Sequence, residues 1–443
     1  MLAERTKNVA AAATRKLFHQ VPLVNAWRKT LGLPPVINLT LGQPHLPINP
    51  RVVEKLQAAI NHPDIATQFG YSPTRGRPQT LEAIVRLYKH YYPNVDYTPE
   101  EVMCSVGANQ SLWNAFNILI EEKNNVKDVV LAYEPFFAQY KVQIKALGGE
   151  LQAINTSNHD WQPTAIALQE ALERYPQTKA LLINFPNNPM GMMFEKHEIE
   201  QVATLLAEYP QIAIIQDDVY QDLSYQPFFS ILGINPNLKN RTIVINSVSK
   251  GLIGGPDIRI GITAAPKTWI EAMMMQQLLQ IASVPWLSQH ALITAIDAKL
   301  EGTSQAWEEE RKAIYQRNLQ LFAEQLQKIG LPVIKQPAGA FYLIIDASKL
   351  LGKNIPDHLT VTDSHGATVE LEGLWQRIGT TCLTTDVAIA DFFLYAAGVA
   401  MVPTSGFGMD PAKGILRIAC TVDQDKFATA IRQLQNTLAQ ISA

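Results

Sequence analysis

Short apolar segments alternate with helix-like segments between about residues 100 and 265 of this 443-residue chain. Patterns of helical period stand between some of the apolar segments, as in HEIEQVATLLAEY (197–209). Four segments are continuous apolar runs of strand length: VVLAYE (129–134), KALLINFP (179–186), IAIIQDD (212–218) and TIVINS (242–247). Continuous apolar strands that alternate with helices indicate a parallel sheet covered by helices on both faces.

The pattern changes from about residue 300. A charged helical stretch (305–330) precedes VIKQPAGAFYLIIDA (333–347), which predicts a pair of strands around a glycine. The segment 398–421 and a terminal helix complete a smaller α+β unit. The polar segment 351–386 is expected to be an irregular insertion or a long loop of that unit.

We therefore predict an α/β fold with two domains. The large domain, residues 50–300, would contain a mostly parallel sheet flanked by helices. The smaller α+β domain would be formed by residues 1–49, which include an N-terminal arm, and residues 301–443, with the insertion at about 351–386. We expect residues 1–20 to form an amphipathic helix of the mature protein, because they lack the continuous apolar run of a targeting peptide.

Polar or unusual residues follow each of the four predicted strands. They are PFF after the first strand, NNPMG after the second, DVY after the third and SVSK after the fourth. Loops converge at the carboxyl ends of parallel strands, where open sheets bind their ligands. The sequence therefore predicts one pocket that contains an aromatic ring, an amide, a carboxylate and the amine of Lys250.

Composition and charge exclude several classes of protein. A net charge of −3, with 17% charged residues, gives no basic surface for nucleic acid or for an anionic membrane. The apolar runs are far shorter than the roughly 20 residues of a membrane-spanning helix. Three cysteines, Cys104, Cys382 and Cys420, have no metal-ligand spacing, and their number argues for a reducing compartment. We expect a cytoplasmic protein without a metal site.

Lys250 is the most informative member of the predicted pocket. A buried lysine loses hydration, which lowers its pKa and leaves the amine free to attack a carbonyl group. Arg259 could add a positive field, and a pyridine-type cofactor would need a carboxylate, either Asp217 or Asp218, to hold its ring nitrogen protonated. The glycine before the predicted helix in CSVGANQSLWNAF (104–116) would leave free N–H groups for a phosphate.

At this point the motifs resemble those of the class I/II aminotransferases, which are pyridoxal-phosphate enzymes of fold type I. The resemblance extends from INLTLGQP (37–44) to LRIA (416–419), in the order of the family. The motifs that carry it are TLGQP, YSPTRG, GANQS, PFFAQY, NNPMG, DDVY, SVSK with the following RIG, and LRIA.

The resemblance implies a role for each matching residue. Lys250 would form a Schiff base with pyridoxal 5′-phosphate, Asp217 would hold the pyridine nitrogen, and Arg417 would bind the substrate carboxylate beside Gly42 and Asn188. The remaining cofactor-binding residues would be Ala108, Asn109, Ser247 and Arg259 on the phosphate, Asn188 and Tyr220 on the ring hydroxyl, Phe137 on the ring face, and Tyr71 across the interface of a homodimer.

Two positions depart from the family pattern. Arg259 follows Lys250 by nine residues, whereas the family usually has eight, and we expect a one-residue bulge between them. Met190 stands where the family usually has threonine.

The implied function is transfer of an amino group between an amino acid and a 2-oxo acid. Three alternatives remain open: a lyase or decarboxylase with the same cofactor, a non-catalytic ligand-binding or regulatory protein, and a nucleotide-binding oxidoreductase, although its glycine fingerprint is missing. For the substrate side chain, an acidic group would require a second cation, for which Arg28, Arg75 and Arg77 are candidates. Trp286 and Phe407 are candidates for an apolar pocket.

Overall fold

The computed structural model of the protein describes residues 13–123, 126–363 and 365–441. Of the helix predicted for residues 1–20, positions 1–12 lie outside the described residues, and the described helix begins at Ala13. Among the described residues, no helix combines the length and the apolar character that crossing a membrane requires.

The helices of the described chain are α1 (Ala13–Thr30), α2 (Pro50–Ile60), α3 (Pro78–Tyr91), α4 (Ala108–Leu119), α5 (Ala138–Ala146), α6 (Ala165–Arg174), α7 (Lys196–Ala207), α8 (Ile231–Ile234), α9 (Lys267–Leu278), α10 (Trp286–Leu300), α11 (Gln305–Lys328), α12 (Leu374–Ile378), α13 (Asp386–Phe392) and α14 (Gln424–Ile441).

The strands of the described chain are β1 (Ile37–Asn38), β2 (Val102–Ser105), β3 (Glu122–Lys123), β4 (Val126–Lys127), β5 (Val129–Tyr133), β6 (Glu150–Ile154), β7 (Thr178–Ile183), β8 (Ala213–Asp217), β9 (Thr242–Ser247), β10 (Gly261–Ala264), β11 (Tyr342–Asp346), β12 (His358–Thr362), β13 (Thr368–Glu372), β14 (Val399–Ala400), β15 (Val402–Pro403) and β16 (Ile415–Ala419).

The largest sheet in the described part of the chain has seven strands in the order β2-β10-β9-β8-β7-β5-β6. All neighbours pair in parallel except β10, which is antiparallel to both β9 and β2. The four strands predicted from apolar runs are β5, β7, β8 and β9, which lie side by side at the centre and are buried along most of their length. The prediction of a mostly parallel sheet flanked by helices is confirmed.

Apolar side chains from both faces of this sheet pack under helices. One cluster lies between the sheet and α3, α6, α7 and α10, and another lies between the opposite face and α4, α5 and α9. Because both faces are covered, each central strand reads as a continuous apolar run rather than as an alternating one.

A second, smaller sheet of the described chain has the order β11-β16-β15, with antiparallel pairing. Of the strand pair predicted within residues 333–347, one strand forms, β11, and Val333 makes only an isolated bridge to Ile345. The expectation that 351–386 is irregular is wrong, since β12 and β13 form an antiparallel hairpin there and α12 follows it.

The topology brings several chain segments to one edge of the large sheet. The strands β2, β5, β7, β8 and β9 run in the same direction, so the loops that follow them lie at a common edge. Since β10 runs the other way, Gly261 at its start pairs with Ser247 and Ser105 at the ends of β9 and β2. The residues just before β10 therefore reach the same edge.

Candidate active site

A cavity of about 730 Å³ lies at this edge of the sheet. Its walls come from the loops after the parallel strands, from the start of α4 and from β16 of the smaller sheet. The predicted site residues that line it are Gly42, Ala108, Asn109, Phe137, Asn188, Asp217, Tyr220, Ser247, Lys250, Arg259 and Arg417.

Lys250 lies in a tight turn that directly follows β9. Residues Val248–Leu252 form a single π-helical turn. Ser247 caps this turn, because its hydroxyl accepts a hydrogen bond of 3.2 Å from the N–H of Ser249. A capped turn at the end of a buried strand holds the main chain of Lys250 in one position.

The amine of Lys250 is directed into the cavity and has a lowered pKa. Its Nζ donates a hydrogen bond to the carbonyl oxygen of Gly42. Burial lowers the pKa of Lys250 to about 8, with further lowering by the charges of Arg417 and Arg259. A larger fraction of this amine is therefore unprotonated near neutral pH than of an ordinary lysine, and a nucleophile or base requires the unprotonated form.

Asp217 is the last residue of β8 and is 3% exposed. The hydroxyl of Tyr140 donates to its Oδ2 at 2.6 Å, while its Oδ1 is buried without a hydrogen-bond partner. Burial raises the pKa of Asp217 to about 6. A buried carboxylate oxygen without a donor is unusual, so this atom is available to accept a hydrogen bond from a ligand.

The neighbouring carboxylate, Asp218, faces away from the cavity. It accepts hydrogen bonds from the hydroxyl of Tyr92 and from Nε2 of Gln216. Burial raises the pKa of Asp218 to about 7. Of the two acids that the sequence offered, only Asp217 lines the cavity.

An anion-binding cradle forms where β2 leads into α4. Gly107 precedes the helix with φ of 79°, and the first N–H groups of the helix, at Ala108 and Asn109, have no acceptor within it. Arg259 lies above this point, because its Nη2 donates to the carbonyl oxygen of Val106 at 3.2 Å. Free N–H groups, the helix dipole and a guanidinium together suit a phosphate.

The chain before Arg259 contains a short 3₁₀ turn, Pro256–Ile258. Arg259 itself adopts a left-handed conformation with φ of 53°, and the expected one-residue bulge relative to the family stays a prediction. The side chain nevertheless reaches the cavity.

Arg417, in the middle of β16, is 1% exposed and is not on a solvent face of the strand. Its Nη2 donates to the carbonyl oxygen of Thr40, its Nη1 donates to Oδ1 of Asn188 at 3.3 Å, and its Nε has no partner. No acidic side chain of the described residues forms an ion pair with it. A buried guanidinium without a counter-ion favours binding of a carboxylate ligand.

The remaining predicted residues complete the walls. The hydroxyl of Tyr220 forms a hydrogen bond of 2.6 Å with that of Tyr342. Phe137 immediately precedes α5 and packs edge-on against Tyr140, with ring centroids 5.4 Å apart. A Cβ at Gly42 would lie 2.3 Å from the hydroxyl oxygen of Tyr342, so a larger residue there would have to displace this hydroxyl.

The residues predicted to contact the substrate side chain lie outside the cavity. Arg28, Arg75 and Arg77 donate hydrogen bonds to oxygens outside the cavity, and none of the three belongs to its lining. Trp286 stacks on His290 and also lies outside the cavity. None of these four residues therefore contributes to the cavity of its own chain.

Phe407 and Tyr71 are also absent from the cavity wall, for different reasons. Phe407 is fully buried behind the site, with its ring centroid 5.3 Å from the Arg417 guanidinium carbon, and it does not line the cavity as expected. Tyr71 is 91% exposed and lies outside the cavity of its own chain.

The cavity residues that sequence reasoning missed include Phe18, Thr40, Tyr140, Asn184 and Tyr342. Tyr140 stands within the PFFAQY motif and Asn184 within a predicted strand, so both could have been found by asking which polar side chain would support Asp217. Asn184 donates to the main-chain oxygen of Asp217 at 2.7 Å. No pattern in the sequence around Phe18 or Tyr342 indicates that these residues lie near the cavity.

Comparison with known proteins agrees with this geometry. A family model described as aminotransferase class I and II matches residues 34–434. The chain is 29% identical, over 450 residues, to an aspartate aminotransferase of Bacillus sp. (strain YM-2), with 100% of this chain and 98% of that protein covered. It is 28% identical over 403 residues, with 90% of each chain covered, to a probable aspartate/prephenate aminotransferase of Rhizobium leguminosarum bv. phaseoli.

The fold agrees as well. A solved aspartate aminotransferase from Rhizobium meliloti superimposes with a TM-score of 0.81 at 24% identity, covering 100% of this chain and 99% of that one. The family match extends over nearly the whole chain. The protein therefore belongs to the class I and II aminotransferase family and is a transaminase.

Proposed function

We propose that this cavity binds pyridoxal 5′-phosphate and transfers an amino group between an amino acid and a 2-oxo acid, with Lys250 as the catalytic amine. The observation that carries the proposal is that a lysine of lowered pKa, a carboxylate with an unpartnered oxygen and a guanidinium without a counter-ion line one cavity. Each of them lacks the partner that this cofactor or its substrate would supply.

The donor set fits the cofactor. The N–H groups of Ala108 and Asn109, the hydroxyl of Ser247 and the guanidinium of Arg259 would bind the phosphate. Oδ1 of Asp217 has no hydrogen-bond partner within the protein and would accept a hydrogen bond from the pyridinium N–H. Asn188 and Tyr220 would contact the ring hydroxyl, and Phe137 would cover the ring face. Lys250 would attach the cofactor covalently through Nζ.

The substrate carboxylate would bind to Arg417. Its Nε has no acceptor, and Asn188 and Gly42 stand beside it in the cavity wall. A planar guanidinium binds a carboxylate through two parallel hydrogen bonds, which would fix the orientation of the α-carbon.

Lys250 would carry the proton. When bound, the cofactor withdraws electrons and makes the proton on the substrate α-carbon acidic. The free Nζ of Lys250 would accept that proton and deliver it to the carbon on the other side of the transferred nitrogen. A pKa of about 8 suits both directions, because the amine gains and loses a proton readily near neutral pH.

The relatives give a first choice of amino donor. Curated relatives are named for aspartate or for aspartate and prephenate, so aspartate is the donor to test first. Within the described part of the chain, the basic residues that line the cavity are Lys250, Arg259 and Arg417. A cation for a side-chain carboxylate would come from a second subunit.

We also propose that the protein is a homodimer in which Tyr71 reaches the phosphate of the partner's site. Tyr71, Phe69 and Leu279 are 91%, 63% and 79% exposed, and such exposed apolar groups are typical of an interface. A cytoplasmic location stays a prediction that rests on the cysteine content.

The decisive experiment compares Lys250→Ala with Lys267→Ala, a change at an exposed lysine at the start of α9. After incubation with pyridoxal phosphate and reduction with borohydride, mass spectrometry should find the pyridoxyl group on the peptide that contains position 250. Lys250→Ala should lose that label and at least about 10²–10⁴-fold of kcat. Lys267→Ala should behave as the unchanged protein.

Labelling of a different lysine, or a Lys250→Ala variant of normal activity, would disprove the assignment of Lys250. Product analysis tests the reaction itself, since transamination gives one 2-oxo acid for each amino group transferred. Release of ammonia or carbon dioxide would indicate a lyase or a decarboxylase.

A further inference from the structure

A second arginine, outside the cavity, contacts the turn that carries Lys250. Arg311 lies on α11, 61 residues further along the chain, and is 3% exposed. Its Nη2 donates to the carbonyl oxygen of Lys250 at 2.9 Å, and its Nη1 donates to that of Gly251 at 3.0 Å. One guanidinium therefore binds two consecutive carbonyl oxygens of the catalytic turn.

The surroundings of Arg311 are built for this contact. Gly254 has φ of +75°, and a Cβ at that position would lie 2.6 Å from Nη2 of Arg311. The ring of Trp307 covers the other side, with its centroid 4.2 Å from the guanidinium carbon. The glycine leaves room for the planar group, and the indole face stabilises its charge.

The charge of Arg311 has no acidic partner within ion-pair distance among the described residues, and its Nε–H donates to no protein acceptor. Burial of a cation lowers the stability of the folded protein unless other interactions replace the lost hydration. A residue that only filled space at this position would therefore be apolar. The last carbonyl oxygens of a helical turn have no donor within the turn, and the N–H groups of an arginine are suited to hydrogen-bond with them. The charge is thus directed at the main chain of Lys250.

We propose that Arg311 is a positioning residue that fixes the main chain of Lys250 and thereby sets where its amine stands in the cavity. This inference rests on the proposed role of Lys250. Arg311 lies on α11, which continues toward the smaller sheet. Its two hydrogen bonds therefore fix the position of the catalytic turn relative to this helix. A shift of about 1 Å in a catalytic group is enough to cost about 10²-fold in rate.

The variants to compare are Arg311→Lys, which keeps the charge and loses the planar fork, and Arg311→Met, which keeps the volume and loses both. The matched control is Arg317→Lys, at an exposed position of the same helix. Folding is monitored by circular dichroism and thermal unfolding. Should neither variant fold, Gly254→Ala displaces the guanidinium without removing it and is measured in the same way.

The first readout does not depend on activity. Trace acetylation of the full chain, freed of pyridoxal phosphate and analysed by mass spectrometry across a pH series, reports the pKa of the Lys250 amine. In the unchanged protein and in Arg317→Lys we expect a pKa of about 8. In the Arg311 variants the turn relaxes and the amine gains water, so its pKa should rise toward the ordinary lysine value.

The second readout is the kinetic isotope effect with an α-deuterated amino acid. A misplaced amine slows proton transfer, so kcat should fall about 10²-fold, the isotope effect on kcat should increase, and KM should change less than kcat. An unchanged kcat and isotope effect in folded Arg311 variants would overturn the proposal. So would a loss of activity that only follows the loss of folded protein while the pKa of Lys250 stays the same.

Failure of this inference is distinct from failure of the proposed function. If Lys250→Ala is inactive and the Arg311 variants are normal, only the positioning role is wrong. If Lys250→Ala is active, the catalytic amine itself has been misassigned.

Discussion

At the scale of single residues, three buried charged groups lack a full set of partners. Oδ1 of Asp217 and Nε of Arg417 have no hydrogen-bond partner, and the amine of Lys250 has a pKa lowered to about 8 by burial. Such groups destabilise the folded chain on their own, because the interior does not replace their hydration. Their presence in one cavity is a physical reason to expect a charged ligand there.

The first residue-scale prediction concerns Asp217→Asn. The amide cannot hold a positive ring nitrogen, so the variant should bind the cofactor but transaminate more slowly. Breaking one partner of a buried charge pair costs about 3–5 kcal/mol. At about 1.36 kcal/mol for each factor of ten, this corresponds to roughly 10²–10⁴-fold in kcat if it is all lost in the transition state.

The control for this variant is Asp297→Asn on α10, where a partly exposed carboxylate pairs with Arg86 at 2.8 Å. A surface ion pair contributes about 0–1 kcal/mol, so kcat should stay unchanged. The measurements are steady-state kcat and the absorbance of the bound cofactor. A normal kcat in Asp217→Asn would refute its proposed role.

The two adjacent acids show where single-residue reasoning ends. Successive residues of a strand point to opposite faces, so Asp217 and Asp218 at the end of β8 cannot both face the cavity. The sequence alone could not say which one does. The structure decides for Asp217, because Tyr140 lies on its side of the sheet and Tyr92 on the other.

At the scale of elements, the site depends on how β2, β10 and α4 meet. A Cβ at Gly261 would lie 2.5 Å from the main-chain nitrogen of Ala108, and a Cβ at Gly107 would lie 2.3 Å from Nη2 of Arg259. Both glycines therefore allow the start of the helix, the strand and the arginine to approach one another. This close approach is what makes the anion cradle.

The element-scale prediction is that Gly107→Ala weakens cofactor binding. The new Cβ would displace Arg259, so the Kd for pyridoxal phosphate should rise about 10-fold or more, consistent with the loss of one charge-assisted hydrogen bond of about 1.5–3 kcal/mol. The measurement is a titration of the apoprotein followed by absorbance.

The matched control is Gly302→Ala. Gly302 has φ of +74°, close to the +79° of Gly107, and a Cβ there meets no atom within 4 Å. Gly107 combines its φ with ψ of 156°, a region that is essentially restricted to glycine, so thermal unfolding of both variants measures the backbone strain separately from the contact with Arg259, which only Gly107→Ala makes. Equal cofactor affinity in the two variants would mean that Arg259 does not bind the phosphate.

The hairpin of β12 and β13 was missed although the sequence carried a signal for it. Its two strands alternate polar and apolar residues, and Leu359 pairs with Leu371 across the strands, each 1–2% exposed. Strands with one solvated face show this alternation rather than a continuous apolar run. The polar composition of residues 351–386 concealed a period of two.

At the scale of the whole molecule, the cavity of one chain does not contain Tyr71. The proposed dimer accounts for this, since a tyrosine that serves the partner's site must point away from its own. We also propose that the chain divides into the domains 50–300 and 1–49 with 301–443. The separate apolar cluster around the smaller sheet, formed by residues 33–39 and 319–441, supports this division, and hydrogen exchange should resolve two cooperative units.

The whole-molecule prediction tests Tyr71 across the interface. Light scattering should give twice the chain mass, and Tyr71→Phe should raise the Kd for pyridoxal phosphate without dissociating the dimer. Tyr71→Phe and Lys250→Ala chains are then mixed. In the mixed dimer, one site combines an intact lysine with the intact tyrosine of the other chain.

If Tyr71 acts across the interface, half of the sites in that mixed dimer regain the cofactor affinity of the unchanged protein. If Tyr71 acts within its own chain, no site regains it. A monomer in light scattering would contradict the proposal directly. The control is a mixture of Tyr71→Phe chains with unchanged chains, in which both sites retain Lys250.

Local patterns in the amino-acid sequence were enough to predict the parallel sheet, the order of the motifs and the residues around which the cavity forms. They were enough because buried strands and their terminal polar residues are local features of the chain. The folded chain was needed to show which of two adjacent acids faces the cavity, that the candidate arginines and Trp286 lie outside the cavity of their own chain, and that Arg311 contacts the turn of Lys250. These facts depend on side-chain direction and on contacts between residues far apart in sequence, and no local pattern encodes them.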